Sequence, residues 1–322
     1  MKTLFDPAVQ LQVTCHDPDE FQEKAIGWDI DHLQLKRGAY LSTLDIVHTS
    51  NMQLSRTVHN VGIHERGGIL QETSVLALPV LPPDTKLPYY CGRRLEPEEC
   101  PVLLPETEFE ILSSGVEAYV TMVVDAELLN REALQLTGHP FASLVRQQRV
   151  CIGRQDQQRL VQTISALMQE LKKHPHRLSV TRQETLEKRL IEQVLLSIRP
   201  PSGKKINIPN RRQVARKAEQ LIRQHPRQHL HIEQLCSLIG CSARTLHLGF
   251  KERYGTTPGQ YARILALNAV WKQLQNLPPS GTVTEVAMAW GFYHLGRFSQ
   301  QYRQLFDELP HVTVERNRKA TP

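Results

Sequence analysis

The feature that most restricts this chain is a degenerate internal repeat near its C-terminal end. The first copy reads Leu235-Cys236-Ser237-Leu238-Ile239-Gly240-Cys241-Ser242, followed by Leu246 and Phe250. The second reads Val286-Ala287-Met288-Ala289-Trp290-Gly291-Phe292, followed by Phe298 and Tyr302. Cys236 matches Ala287 and Gly240 matches Gly291 at an offset of 51, while the later anchors match at 52, so the second turn is one residue longer. Each position has a physical task. Two closely crossing helices need a small residue at their contact, here Cys236 and Ala287. The sharp turn between them wants a residue that accepts positive φ, here Gly240 and Gly291. Ser242 caps the next helix, and Thr282 with Glu285 forms a T-x-x-E capping box. Leu246/Phe250 and Phe298/Tyr302, four apart, anchor the second helix of each unit inward and leave its other face free to enter a groove. A helix predicted over 258–276 joins the units. At about 1.5 Å per residue it spans roughly 28 Å, against about 34 Å between successive major-groove faces on one side of a duplex.

Charge separates along the chain in the same sense. Residues 201–322 hold 18 Lys and Arg against 7 Asp and Glu, a net of +11, while residues 1–200 carry a net of −5. A basic segment beside an acidic one points to a polyanionic partner for the C-terminal part, with a merely solvated basic surface as the bland alternative.

Two motifs accompany the repeat: Phe250-Lys251-Glu252-Arg253-Tyr254-Gly255-Thr256-Thr257-Pro258, and Trp290-Gly291-Phe292 running on to Arg297-Phe298-Ser299-Gln300-Gln301-Tyr302-Arg303-Gln304-Leu305-Phe306. On these residues the stretch 211–316 resembles the DNA-binding domain of the AraC/XylS regulators. It departs from the commoner G-x-x-P form at Asp307-Glu308-Leu309-Pro310, whereas Gly255 to Pro258 keeps it. The resemblance implies a bacterial transcription regulator, an activator, with double-stranded DNA and RNA polymerase as partners. It implies recognition residues drawn from Ala243, Arg244, His247 and Leu248 in the first unit, and from His294, Leu295, Arg297, Ser299 and Gln300 in the second. Base contacts are assigned to Arg244, His247, His294, Arg297, Ser299 and Gln300. Arg244 and Arg297 suit guanine bidentately, and Gln300 suits adenine. Lys251, Arg253 and Arg303 are assigned to the phosphate backbone. The N-terminal part is similar to the family's sensor domain in general layout only, which implies a small-molecule effector.

Residues 28–125 read as short strands punctuated by Arg66-Gly67-Gly68, Leu81-Pro82-Pro83-Asp84 and Ser113-Ser114-Gly115. Ala118, Val120, Met122 and Val124 alternate with Tyr119, Thr121 and Val123, a strand pattern. After Asp125 the period changes. Leu160, Ile164, Leu167 and Leu171 form a 4-3-4 apolar seam, and a second amphipathic helix covers about 181–198. The seam packs either within the monomer or against a second copy, and the expectation carried forward is a homodimer. The expected fold is therefore α+β: a small β-barrel, cupin-like sensor over 1–125, a helical dimerisation segment over 126–199, a Pro/Gly/Lys linker over 200–209, an all-α domain of two helix-turn-helix units joined by a long helix over 210–316, and a tail over 317–322.

Other functions find little in the chain. His59-x4-His64-Glu65 lacks the H-x-H spacing of a small-barrel metal site, so no metal and no cofactor are expected. Trp28 is read as core rather than pocket lining. Cys91 and Cys100 make no C-x-x-C pair. No phosphate-binding loop, dinucleotide fingerprint or hydrolase motif occurs, and the chain is not expected to be an enzyme. A metal-dependent barrel enzyme fused to a DNA reader and a ligand-independent architectural DNA binder are the alternatives. No run of about 18 apolar residues suits a membrane span, residues 1–21 lack a signal-peptide core, and the six cysteines are scattered, which together predict a cytoplasmic protein.

Because neutralised phosphates release counterions, binding to duplex DNA is expected to weaken steeply with salt, by a log–log slope of about −0.9 per phosphate contact. Titrations at several salt concentrations check this, and a flat dependence contradicts it.

Overall fold

β-branched and aromatic runs dominate the N-terminal half, and in the computed structural model they form strands. The structure describes residues 4–69, 72–80, 85–113, 115–173, 180–199, 210–227, 231–278 and 280–320. Contacts divide the chain into two units. The first comprises Met1–His32, Leu41–Asn60 and Glu65–Lys205, and the second comprises Leu33–Tyr40, Val61–His64 and Ile206–Pro322.

The chain begins with β1 (Gln10–Cys15), α1 (Pro18–Lys24), β2 (Trp28–Gln34), β3 (Ser42–His48), β4 (Met52–His59), β5 (Ile63–Ile69) and β6 (Thr73–Pro79). Then come β7 (Tyr89–Tyr90), β8 (Arg93–Arg94), β9 (Glu99–Leu103), β10 (Phe109–Leu112) and β11 (Glu117–Asp125). The first unit ends with α2 (Ala126–Thr137), α3 (Phe141–Leu144), β12 (Arg149–Ile152), α4 (Arg154–Lys173), α5 (Val180–Ser197) and β13 (Ile198–Arg199). Two sheets result, ordered β1-β3-β4-β11-β6-β9-β12-β13 and β2-β5-β10-β7-β8. Both orders have free ends, so among the described residues the strands make open sheets and not the expected closed barrel. Strands also extend outside the expected 28–125 window. β1 is a sheet edge with Gln10, Gln12 and Thr14 exposed, and so carries little apolar signal. β12 is a four-residue run between helices, too short for a period to register.

β11 lies at the centre of the larger sheet. Met122 is opposite Leu54 on β4 and Leu76 on β6, and every β11 residue from Glu117 to Val124 is buried. The alternation read from the sequence thus distinguishes two covered faces. Val120, Met122 and Val124 pack in one cluster with the apolar faces of α4 and α5. That cluster takes up the seam expected to join two copies. Leu160, Ile164, Leu167 and Leu171 are 0, 0, 9 and 6 % exposed, and they meet Leu190, Ile191, Val194 and Leu195 in the monomer's own core. Buried aliphatic side chains of this kind each contribute about 1.5–3 kcal/mol, and here none of that surface remains for a partner. The segment 126–199 is therefore not a separate connector.

Helix ends are fixed by the local signals. Asp125 caps α2 by accepting from Leu128 N (2.6 Å), and Gly138 ends it at φ +73. Glu187 on α5, 2 % exposed, accepts from Asn51 N (3.0 Å), Asn51 Nδ2 (2.8 Å) and the Thr49 hydroxyl. One buried carboxylate thus anchors the helix to the β3–β4 turn through charge-assisted bonds. Trp28 is half-buried and stands edge-on to Phe109 at 5.7 Å. His59 Nδ1 is 2.7 Å from Ser42 Oγ.

The second unit is built on α6 (Asn210–Gln224), α7 (Ile232–Ile239), α8 (Ala243–Tyr254), α9 (Pro258–Gln275), α10 (Val283–Ala289), α11 (Leu295–Phe306) and α12 (Pro310–Ala320). The expected linker over 200–209 lies outside the described residues. The expected tail begins inside α12, which continues to Ala320.

Glu117 is 1 % exposed, and its Oε1 has no hydrogen-bond partner among the described residues. Burial first, and the Glu65 carboxylate second, push its carboxyl well above the usual range. The folded state therefore keeps a proton that the unfolded chain releases near its ordinary value of 4.5. The stability this proton supports is complete below that value and is lost as pH rises toward the folded pKa. Glu117→Gln is expected to gain stability over the wild type progressively from about pH 5 upward. Denaturant unfolding of both proteins across pH tests this, and a pH-independent difference contradicts it.

Candidate nucleic-acid interface

In the second unit the two halves of the sequence repeat each become a pair of short helices. α7 ends at Gly240, φ +73, whose N–H returns to Cys236 O at 2.9 Å. Ser242 Oγ then accepts from Thr245 N at 3.2 Å and starts α8. In the second half, Thr282 and Glu285 form the reciprocal cap of α10, with Thr282 N to Glu285 Oε2 at 3.0 Å and Glu285 N to Thr282 Oγ1 at 3.2 Å. Gly291, φ +80, makes the turn, and α11 starts after His294 without a side-chain cap. Between the pairs runs α9, 18 residues long and so about 27 Å. It opens with a second reciprocal cap between Thr257 and Gln260.

The anchors point inward. Leu246 and Phe250 are fully buried, as is Tyr302, and Phe298 is 1 % exposed. Ala287 is buried at its crossing, while Cys236 is half-buried. Phe298 and Tyr302 pack with Trp271, Trp290 and Phe306 around α9, and Tyr302 Oη meets Thr313 Oγ1 of α12 at 2.7 Å.

The opposite faces are free. On α8, Ala243, Arg244, His247, Leu248 and Lys251 are exposed, and on α11, Arg297, Gln300 and Arg303 are exposed, with His294 just before it. Two assigned residues stand elsewhere. Arg253 is 4 % exposed, its Nε donates to Tyr254 Oη at 3.0 Å, and its guanidinium lies 5.4 Å from the Tyr254 ring centre. It is a core residue and not a backbone contact, because the helical step from Lys251 carries it off the outer face. Leu295 packs against the apolar cluster. Ser299 is half-buried at the edge of the outer face.

The helix α6 adds what the repeat does not show. A Cβ on Gly249 would stand 2.1 Å from Arg211 O and 3.3 Å from Ala215 Cβ, so α6 and α8 cross at a distance only glycine allows. Arg211 Nε donates to Glu252 Oε2 at 2.7 Å and ties the same two helices. Arg216 and Lys217 remain exposed on α6. Arg227, just beyond it, sits 5.2 Å over the Trp290 ring. Tyr293, 72 % exposed beside His294, is a further aromatic at this surface. The only sequence sign of these residues was a basic amphipathic run and an aromatic next to a turn. Asp307 ends α11 in the left-handed region, φ +62, doing what Gly255 does for α8 at φ +64. The departure from G-x-x-P thus leaves the helix ending intact.

Two inward-anchored helices with basic outer faces, each preceded by a tight turn from a shorter helix, define a helix-turn-helix protein. Residues 235–316 match the family model described as "Helix-turn-helix domain", and this region is a helix-turn-helix domain of the AraC/XylS type. The chain is 40 % identical over 97 residues to the XylDLEGF operon transcriptional activator 2 of Pseudomonas putida, covering 30 % of this chain and 61 % of that one. It is 36 % identical over 98 residues to the probable thc operon regulatory protein of Rhodococcus erythropolis, covering 30 % of each. The chain therefore spans less than two thirds of the length of these relatives. A solved structure of a probable AraC family transcriptional regulator from Rhodopseudomonas palustris is 30 % identical, with a TM-score of 0.32, over 33 % of this chain and 97 % of that one.

Because Gly249 leaves no room for a methyl group, Gly249→Ala is expected to lower stability by about 1–3 kcal/mol and to weaken DNA binding by displacing α8. Denaturant unfolding and a binding titration check this. Unchanged values for both would mean that the α6–α8 crossing yields freely.

Proposed function

We propose that this protein is a sequence-specific DNA-binding transcription regulator that reads one asymmetric site with two recognition helices, α8 and α11. The observation that carries the reading is the pair of outward faces, Arg244, His247 and Lys251 on α8 and Arg297, Gln300 and Arg303 on α11, each backed by a buried apolar anchor set. The net +11 of residues 201–322 supports it, since phosphate neutralisation supplies most of the sequence-independent affinity. α9, at about 27 Å, suits two helices entering adjacent major-groove segments.

Arg244 and Arg297 are the base readers in this proposal, with His247, His294, Ser299 and Gln300 beside them. Lys251 and Arg303 hold phosphates, and exposed Arg216 and Lys217 on α6 extend the same basic surface. Activation of transcription, through contact with RNA polymerase, is favoured by the activator named among the relatives. The first unit acts as the sensor, answering a small-molecule effector, and the homodimer uses a surface other than the Leu160–Leu171 seam, which lies in the monomer's own core. Among the described residues no helix is long and apolar enough to cross a membrane, which agrees with a regulator working in the cytoplasm.

A bidentate arginine–guanine pair contributes about 1–3 kcal/mol of discrimination. Arg244→Ala and Arg297→Ala are each expected to relax base preference at a separate position, about one helical turn apart, while Lys251→Ala weakens binding alike on all sequences. Selection of sites from random DNA with each variant reads this directly. Uniform loss of affinity with unchanged preference in both arginine variants would make them backbone clamps and defeat the assignment.

A further inference from the structure

The second unit contains two short stretches far in sequence from its helices, Leu33–Tyr40 and Val61–His64. They are bound to each other, with Leu35 N donating to Gly62 O at 2.8 Å and Lys36 N to the same oxygen at 3.2 Å. They also reach four helices of the unit, α6, α8, α9 and α11. Gln34, 1 % exposed, places Nε2 2.8 Å from Lys36 O, 2.6 Å from Gly38 O and 2.8 Å from Leu305 O. Gly38 N donates to the same Leu305 O at 3.3 Å. Leu305 lies in the last turn of α11, where backbone carbonyls have no partner within the helix, so this stretch caps the C-terminal end of the second recognition helix.

At α9 the contacts are polar and buried. Asn268 Nδ2 donates to Gln34 O at 3.2 Å and to Ile264 O at 2.8 Å. His64, fully buried, places Nδ1 2.8 Å from Tyr261 Oη, and Arg223 Nη2 of α6 lies 3.1 Å from that nitrogen and 3.2 Å from that oxygen. Glu219 Oε1 accepts from Tyr261 Oη at 3.1 Å and from Arg223 Nε. At the first recognition helix, Lys36 Nζ stands 3.7 Å from the position of a Cβ on Gly255, the residue that caps α8. A cation there faces the negative end of the α8 dipole.

One short stretch therefore meets the C-terminal ends of both α8 and α11 and the middle of the helix between them. We propose that Leu33–Tyr40, braced by His64, is a splint that fixes the spacing of the two recognition helices, with Gln34 as the positioning residue for α11. The proposal rests on the reading of α8 and α11 as the helices that enter DNA. It implies that the helix-turn-helix region is completed by residues some two hundred positions upstream, and that what the splint controls is tolerance to half-site spacing and not base identity.

The test uses the full chain and duplexes carrying its selected site, unaltered or with one base pair inserted or deleted between the two half-sites, a shift of about 3.4 Å along the axis. The wild type is expected to lose about tenfold or more in affinity on either shifted duplex, a loss comparable with a mismatched base pair. Gln34→Met keeps the length and removes the donor. It is expected to bind the unaltered site more weakly and to lose less than about threefold on the shifted ones, with base preference inside each half-site unchanged. Lys36→Met, at a half-buried position, is expected to move the same ratio in the same direction, and it decides the matter should Gln34→Met fail to fold. Wild-type spacing penalties in folded variants would overturn the splint. A wild type indifferent to spacing, with arginine variants that still change base preference, would overturn it too while leaving the reader intact. Indifference to spacing together with unchanged base preference would remove the proposed function itself.

Discussion

A helix that offers a face to a partner must be held by the opposite one, and the second unit depends on how that division is made. In α8 and α11 the holding face is a pair of large apolar residues four apart, Leu246/Phe250 and Phe298/Tyr302. Four residues advance the helix by little more than a full turn, so both members of a pair point the same way. The residues beside and between them, Arg244, His247, Arg297 and Gln300, are left on the far side. The glycine turn before α8 and the capped start of α10 then aim the helices. Burial of these anchors, at roughly 1.5–3 kcal/mol each, holds the polar faces in place without those faces having to take part.

Close approach is the second constraint. Gly249 lets Arg211 O come to where a side chain would begin, and α6 becomes a back support for α8. The Glu219–Arg223–Tyr261–His64 set, buried but for the half-buried Arg223, works similarly on α9. Charged groups inside a protein stay there only when paired and hydrogen-bonded, and this set satisfies that condition by drawing on residues distant in sequence. In the first unit Glu187 does the equivalent at the Thr49–Asn51 turn.

The two helix-turn-helix units were legible because their signals are local. Gly240, Ser242, Thr282 with Glu285, and the four-residue anchor spacing each act within one or two turns of helix. The strands of the first unit were legible where they alternate, as in β11, and illegible at β1 and β12, where an edge strand or a four-residue strand carries too little pattern. The Leu160–Leu171 seam had the right spacing for a helix packed against something, and spacing does not say what that something is. Arg253 had the composition of a backbone contact, yet its step around α8 turns it toward Tyr254.

Local pattern in the sequence is enough to establish that two helix-turn-helix units stand near the C-terminal end, where their turns fall, which residues anchor them, and that this part of the chain is strongly basic. Long-range packing settles that the seam is buried in the monomer, that Lys251 faces outward while Arg253 does not, that the sheets stay open among the described residues, and that Leu33–Tyr40 belongs with the helices. The physical reason is that periodicity along a chain reports which face of an element is apolar or polar. What covers that face is set by residues brought to it from elsewhere in the chain, and no local pattern carries their address.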